Sequence, residues 1–294
     1  MDVLSIDIGG NFIKFALIGD DKKLQHKSKV PTPKDNLENL MRAIDKIYCS
    51  FHNIDGIAVS MPGSIDSEDG IARTGGALEY IKSFPMRSVL HEKYHVPVWV
   101  GNDAKCAGYA EIGFGVLKDV NDAVVIILGT AIGGCIIQNK KIRQGKNFAA
   151  GEVSYLIVDY QNKEKIWYTQ GGKDGLLSIV QKYIHSTQYY SGEEIFSMLQ
   201  QGNKSVSDAI DEYAYYIAVQ LYNLQVVLDV EKIAIGGGIS AQPILIEKIN
   251  AQFNRLFEQY DSCIKQIPIV ACKYRNDANL LGAYYQFNKY HGFG

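Results

Sequence analysis

The chain has 294 residues, of which 47% are hydrophobic, enough for two domains with cores of their own. Lys and Arg number 30 against 32 Asp and Glu, and this near-balance leaves no electrostatic footprint for nucleic acid or an anionic membrane surface. No apolar run approaches the roughly 20 residues of a membrane span, and the five cysteines (Cys49, Cys106, Cys135, Cys263, Cys272) stand singly without metal-ligand spacing.

The N-terminal Met1 to Gly10 enters a strand at once and lacks the basic region and cleavage site of a signal peptide. A cytoplasmic protein with reduced thiols is the expectation. In chain order, Val3 to Ile8 reads as a strand ending at Gly9-Gly10, and Phe12 to Leu17 as its hairpin partner. Apolar residues at helical spacing follow from Leu37 to Phe51. Gly56 to Ser60 is a short buried-type strand, Met86 to Tyr94 a helix, Val96 to Val100 a strand and Ala104 to Phe114 a helix.

The pattern then restarts, with strands at Ala123 to Leu128 and Gly133 to Gln138 joined through a Gly-rich turn. Helices are expected over 173–185, 193–201 and 205–228, then a strand over Lys232 to Ile235 and a helix from Pro243 to Tyr260. Ile267 to Ala271 is the last strand and Asn279 to Tyr290 the last helix. Strand hairpin, helix and strand thus occur twice, which predicts an α/β protein with two mixed sheets. The expected domains are 1–115 with 276–294, and 116–275.

Three glycine turns each end an apolar strand: Gly9-Gly10, Gly129 to Gly134, and Gly236-Gly237-Gly238. Such a turn lets backbone N–H groups approach a phosphate without a Cβ in the way. One alone would read as an ordinary hairpin; three together suggest a nucleotide site. The Gly-x-x-x-x-Gly-Lys-Ser/Thr loop, a dinucleotide fingerprint and the protein-kinase motifs are all missing. Asp7, at the end of the first strand, suits either Mg²⁺ held through water or a plain turn cap.

Asp7-Ile8-Gly9-Gly10, Gly101-Asn102-Asp103-Ala104, Leu128 to Gly134, Ala150-Gly151-Glu152 and Gly236-Gly237-Gly238 resemble, in order, the motifs of the ROK family. That family comprises bacterial sugar kinases and related repressors within the superfamily of hexokinase and actin. The resemblance implies two ribonuclease-H-like, actin-like ATPase domains flanking a cleft for ATP, Mg²⁺ and a sugar. By position Asp103 resembles the catalytic base, and Asn102, Glu152 and Gly63 the ligands of sugar hydroxyls. Gly9, Gly10, Gly129, Thr130, Gly133 and Gly134 resemble the phosphate cradle, with Asn11 and Lys14 beside it. Gly236, Gly237 and Gly238 resemble the adenosine-side turn. A homodimer is the family's usual assembly.

Local sequence leaves other uses open. Asn102 and Asp103 are both good helix caps, and Glu152 sits in a loop where a solvated carboxylate is ordinary. The chain also departs from the family pattern. Tyr155 stands where many members have His, and it suits either a sugar contact or a core aromatic. Leu156 to Tyr168 contains no Cys or His, so no zinc site is expected. Thr169 to Leu176 is the candidate segment for the place of the family's further sugar-binding Glu. Tyr213, Tyr215, Tyr216 and Tyr222 share one helical stretch, suited to core or dimer packing more than to a sugar platform. The activity implied is ATP-dependent phosphorylation of a hexose, an N-acetylhexosamine such as N-acetylmannosamine, or a β-glucoside. The alternatives are a sugar-responsive transcription regulator, which would need a DNA-binding segment ahead of the first strand, and a non-catalytic sugar-binding protein.

Overall fold

A computed structural model describes residues 1–258 and 263–293; the last two residues of the helix expected to run to Tyr260 lie outside the described residues. The chain divides into two compact units, 1–115 with 144–150 and 276–294, and 116–143 with 151–275. Residues 144–150, which fall within the expected 116–275 domain, pack with the first unit.

The first unit is built on a five-stranded sheet in the order β3-β2-β1-β4-β8. Its strands are β1 (Val3–Ile8), β2 (Phe12–Ile18), β3 (Leu24–Pro31), β4 (Gly56–Met61) and β8 (Val98–Asn102). β1, β2 and β3 form an antiparallel meander, whereas β4 and β8 run parallel to β1. β1 and β4 are buried at every residue, as a parallel pair covered on both faces requires. One face packs Leu40, Ile44 and Ile47 of α1 (Leu37–Tyr48), whose start is capped by the Asn36 side chain accepting from the Asn39 amide. α1 stops at Tyr48 rather than Phe51, because the amides of Ser50 and Phe51 turn back to the carbonyls of Ile47 and Tyr48.

α9 (Ala278–His291) packs against α3 (Asp103–Phe114) and against the sheet. The approach is close: a Cβ on Gly282 would lie 1.7 Å from the Cys106 carbonyl oxygen, and one on Gly56 would lie 2.2 Å from the Phe287 ring. Ser5 Oγ donates to the Leu280 carbonyl and Tyr284 Oη to that of Gly19, pinning α9 to the meander. A small antiparallel sheet of β5 (Ile65–Asp66), β6 (Ile71–Thr74) and β7 (Lys82–Phe84) precedes α2 (Met86–Tyr94). Neither this sheet nor β3 is expected from the sequence. β5 to β7 are too short to show a period, and β3 is a polar, largely exposed edge strand.

The second unit repeats the order, β11-β10-β9-β12-β13, from β9 (Ala123–Leu128), β10 (Ile132–Gln138), β11 (Lys141–Ile142), β12 (Lys232–Gly236) and β13 (Ile269–Ala271). β9 to β11 are antiparallel and β12 and β13 parallel to β9. α4 (Trp167–Gly171), α5 (Lys173–Ile184), α6 (Gly192–Gln200), α7 (Lys204–Leu228) and α8 (Pro243–Glu258) follow the sequence reading except for α4, too short to show a helical period. Val124, Ile126, Ile233 and Ile235 of the sheet share one core with Ile210, Tyr213 and Ile217 of α7 and Phe253 of α8. Each unit is therefore a ribonuclease-H-like mixed α/β fold, and no described helix is long and apolar enough to cross a membrane.

The α3–α9 contact yields a test. Gly282→Ala forces backbone apart and should cost at least about 2 kcal/mol, in the range of overpacked cores. A denaturant midpoint that does not fall would contradict this packing.

Candidate active site

In the first unit the site is set by strand register. Asp7 lies opposite Lys14 on β2 and Ser60 on β4. Its side chain is 4% exposed, yet both oxygens are engaged. Oδ1 accepts from Ser60 Oγ at 2.9 Å and from Asn279 Nδ2 at 3.0 Å, while Oδ2 lies 3.7 Å from Lys14 Nζ. Burial pushes the Asp7 carboxyl above its ordinary range, and Lys14, Asn279 and Ser60 pull it part of the way back. Ser60 and Asn279 are absent from the sequence reading. Ser60 reads as a strand residue and Asn279 lies 272 positions away, so only the fold joins them to Asp7.

The first glycine turn is closed by the Gly9 amide donating to the Phe12 carbonyl. Thr32 clasps it, its Oγ1 donating to the Gly9 carbonyl and its amide to that of Asn11. The Asn11 side chain is exposed and accepts from Lys34 Nζ at 2.9 Å. A Cβ on Gly10 would meet only the Ala77 methyl, at 3.6 Å.

β8 runs on to Asn102, two residues beyond the expected end, and α3 begins at Asp103. Asn102 caps α3, its Oδ1 accepting from the Lys105 amide at 3.0 Å. Its Nδ2 donates to the Gly63 carbonyl and to Asp103 Oδ1, both at 3.0 Å. Asp103 Oδ1 also accepts from the Ala104 amide at 2.8 Å, which fixes the carboxylate at the positive end of α3. Gly63 has φ +98°, and a Cβ there would meet the Thr74 carbonyl oxygen at 2.3 Å, so only glycine fits. Asp103, Asn102 and Gly63 thus form one hydrogen-bonded group at the carboxyl ends of β4 and β8.

In the second unit the other two glycine turns lie together. A Cβ on Gly237 would meet the Leu128 carbonyl oxygen at 2.3 Å, which seats the third turn on the end of β9. Gly238 has nothing within 4 Å of a Cβ position, and Gly129 only the Ala131 carbonyl at 3.6 Å. The start of α5 closes on the same turn, the Lys173 amide donating to the Gly129 carbonyl and Gly172 lying against that of Thr130. The sequence reading did not place Gly172 and Lys173 beside this turn. Gly133 sits in β10 opposite Ile127, and Gly236 ends β12 beside Cys272. Gly134 faces Gly151 and Val153, so its missing side chain admits the loop carrying Glu152.

Glu152 precedes a single helical turn, Val153–Tyr155, and is half-buried. Tyr155 is 73% exposed, which removes the core-aromatic alternative. Of the tyrosines on α7, Tyr213 is fully buried and donates to the Gly171 carbonyl, Tyr222 packs on Phe257, and Tyr216 donates to Glu212. Tyr215 and Tyr216 also border a groove of about 490 Å³ with Tyr160, Trp167 and Gln220, which contains none of the predicted site residues. Cys106, Cys135 and Cys272 are buried, and Cys49 and Cys263 exposed. Among the described residues no three His, Cys, Asp or Glu side chains gather as a multi-ligand metal site would need. Asp7 by itself offers a hard oxygen, which fits Mg²⁺ bound through water.

The profile of the ROK family matches residues 3–289. A β-glucoside kinase of Listeria monocytogenes is 28% identical over 292 residues, covering 98% of this chain and 97% of that one. An N-acetylmannosamine kinase of Vibrio vulnificus is 29% identical over 297 residues, covering 98% and 99%. Among solved structures, a ROK family protein of Streptococcus pneumoniae in complex with sucrose superposes with a TM-score of 0.88 at 30% identity, over 99% of both chains.

The raised Asp7 carboxyl has a consequence for stability. Its ionised form is disfavoured by the fold, so its contribution is present only below the unfolded value, about 3.9, and is lost as pH rises through the folded one. Asp7→Asn keeps an acceptor for Ser60 and Asn279 and should raise Tm at pH 7, by about 2–4 °C for each kcal/mol gained. The gain should fade toward pH 4. A lower Tm at pH 7, read by calorimetry, would show that the Lys14 pair outweighs the cost of burial.

Proposed function

From this chain's membership of the ROK family, we propose that it transfers the γ-phosphoryl group of ATP to a sugar hydroxyl, with Asp103 taking the proton. The observation carrying the assignment is the Asp103–Asn102–Gly63 group. It holds a carboxylate in one orientation beside groups suited to sugar hydroxyls. As the hydroxyl oxygen attacks the γ-phosphorus, its proton passes to Asp103 and the bond to the β-phosphate oxygen breaks, leaving ADP. Little covalent help is needed; positioning and charge stabilisation supply most of the rate.

Asn102 binds a sugar hydroxyl while fixing Asp103, and the Gly63 backbone and Glu152 complete the polar contacts. Tyr155, exposed where many members have His, meets the sugar as well. The turns at Gly9-Gly10, Gly129-Thr130, Gly133 and Gly236-Gly238 receive the nucleotide, with Asn11 and Lys14 beside the first. Gly134 belongs to the same cradle and in addition seats the Glu152 loop. Asp7 would hold Mg²⁺ through water; when bound, the ion offsets charge on the β- and γ-phosphates.

The substrate is a hexose, an N-acetylhexosamine or a β-glucoside, a range supported by the names of the related kinases. The reading places the enzyme in the cytoplasm, where ATP is, as a homodimer without nucleic-acid or membrane partners. Val226 and Val227, exposed on α7, support a protein contact there.

An ADP-release assay over glucose, N-acetylmannosamine, N-acetylglucosamine, mannose, fructose and cellobiose tests the activity. Asp103→Asn should lower kcat by about 10²–10⁴-fold with circular dichroism unchanged. Turnover retained in a folded variant would remove Asp103 from the role of base.

A further inference from the structure

Residues 144–150 pack with the first unit although the chain on both sides of them belongs to the second. Side-chain bonds from α3 and from Ser64 hold this segment, including one of 3.4 Å from Gln144 Nε2 to Tyr109 Oη. Lys105, on α3 two residues after Asp103, is 1% exposed, and its Nζ donates to Gln144 Oε1 at 3.0 Å and to the Phe148 carbonyl at 2.7 Å. Outside α3, Ser64 Oγ donates to the Asn147 carbonyl at 3.4 Å. Ser64 follows Gly63, whose carbonyl is bonded to Asn102. The segment is thus tied to the two elements of the first unit that carry proposed sugar ligands, the Gly63 turn and the start of α3.

Burying an ammonium group is costly unless its hydrogen bonds are made, and an apolar side chain would fill the volume without that cost. What Lys105 holds is itself strained. Phe148 has φ +59°, a region bulky side chains rarely adopt and one that persists where surrounding contacts enforce it. Besides the Lys105 bond, the Phe148 amide donates to the Gly145 carbonyl at 3.2 Å. Arg73 lies over the half-buried Phe148 ring, 5.2 Å from its centroid, and is fixed by a 2.6 Å bond to the buried Asp66. An aromatic face backed by a guanidinium group suits a pyranose ring, stacking on its C–H face and bonding its hydroxyls. Gly63, Asn102 and Asp103 already offer polar contacts for the ring that is phosphorylated.

We propose that residues 144–150 form a strap bordering the sugar site. Lys105 is the positioning residue that fastens it, and Phe148 with Arg73 forms a subsite for the second ring of a β-glucoside. This assignment rests on the sugar-kinase reading for the place of the first ring. It makes glycosides better ligands than free hexoses.

Calorimetric titration of glucose and cellobiose into the full chain reads the subsite without turnover. The wild type should bind cellobiose more tightly than glucose. Phe148→Gly, which adopts the positive φ freely, should cut that preference by up to about tenfold while leaving glucose affinity within about twofold. Lys105→Met should weaken both sugars and speed hydrogen exchange across 144–150, with ATP affinity unchanged. Gln144→Ala, at the less buried end of the same bond, should do so more mildly if Lys105→Met does not fold. A cellobiose-to-glucose ratio unmoved by Phe148→Gly overturns the subsite, as does a wild type that binds neither sugar. Unaltered exchange in Lys105→Met and in Gln144→Ala overturns the fastening role. A wild type that binds cellobiose but turns nothing over would reject the kinase reading and leave the strap test in force.

Discussion

Parallel pairing of β1, β4 and β8 is the constraint from which the rest of the first unit follows. Pairing β1 with β4 sets Asp7 opposite Ser60, and pairing β4 with β8 sets Met61 opposite Asn102. All three strands deliver their carboxyl ends to one edge, where open α/β sheets bind ligands. The antiparallel β2 then returns Lys14 to the flank of Asp7. Shifting any strand by one residue would turn these side chains to the other face and scatter the site. The second unit uses the same order, pairing Gly236 of β12 with Ile127 of β9 so that its two glycine turns meet at one edge.

Two buried charges show what the fold gives up for this arrangement. Asp7 is held with its carboxyl raised by burial, and its partners come from β2, β4 and the start of α9. A neutral residue would cost less to bury here, which agrees with the ion-holding role proposed for this carboxylate. Lys105 follows the same logic on α3, where its bonds go to a segment that returns from a distant part of the chain. In both cases the buried group joins elements remote in sequence, a use of polarity that apolar packing does not provide.

The sequence made the two mixed sheets, the glycine turns and the Asn102-Asp103 pair visible, because each is a local pattern of strand burial followed by a turn or cap. What escaped it is long-range or lacks a period. β3 is mostly polar and exposed, and β5 to β7 run two to four residues each. Ser60 and Asn279 carry no local mark of their bond to Asp7. Lys105 looks like a solvated helix residue until the 144–150 segment takes up its ammonium group. Gly134 shows a packing role that its glycine-rich motif does not announce: its missing Cβ makes room for Gly151.

The helix cap at Asn102 and the role proposed for it in the site use the two ends of the same side chain. Its amide has two ends, and Oδ1 accepts from the Lys105 amide in the first turn of α3, where backbone donors need partners from outside the helix. That bond fixes the plane of the side chain and so decides where Nδ2 points, toward the Gly63 carbonyl and Asp103 Oδ1. An Asp at position 102 would cap the helix equally well but would set a second carboxylate against Asp103. A Ser would cap it without reaching Gly63. Only an amide both ends the strand-to-helix turn and donates to the neighbouring carboxylate. The cap is therefore what aims Asp103, and the sequence pair Asn-Asp is informative through the chemistry of its first member.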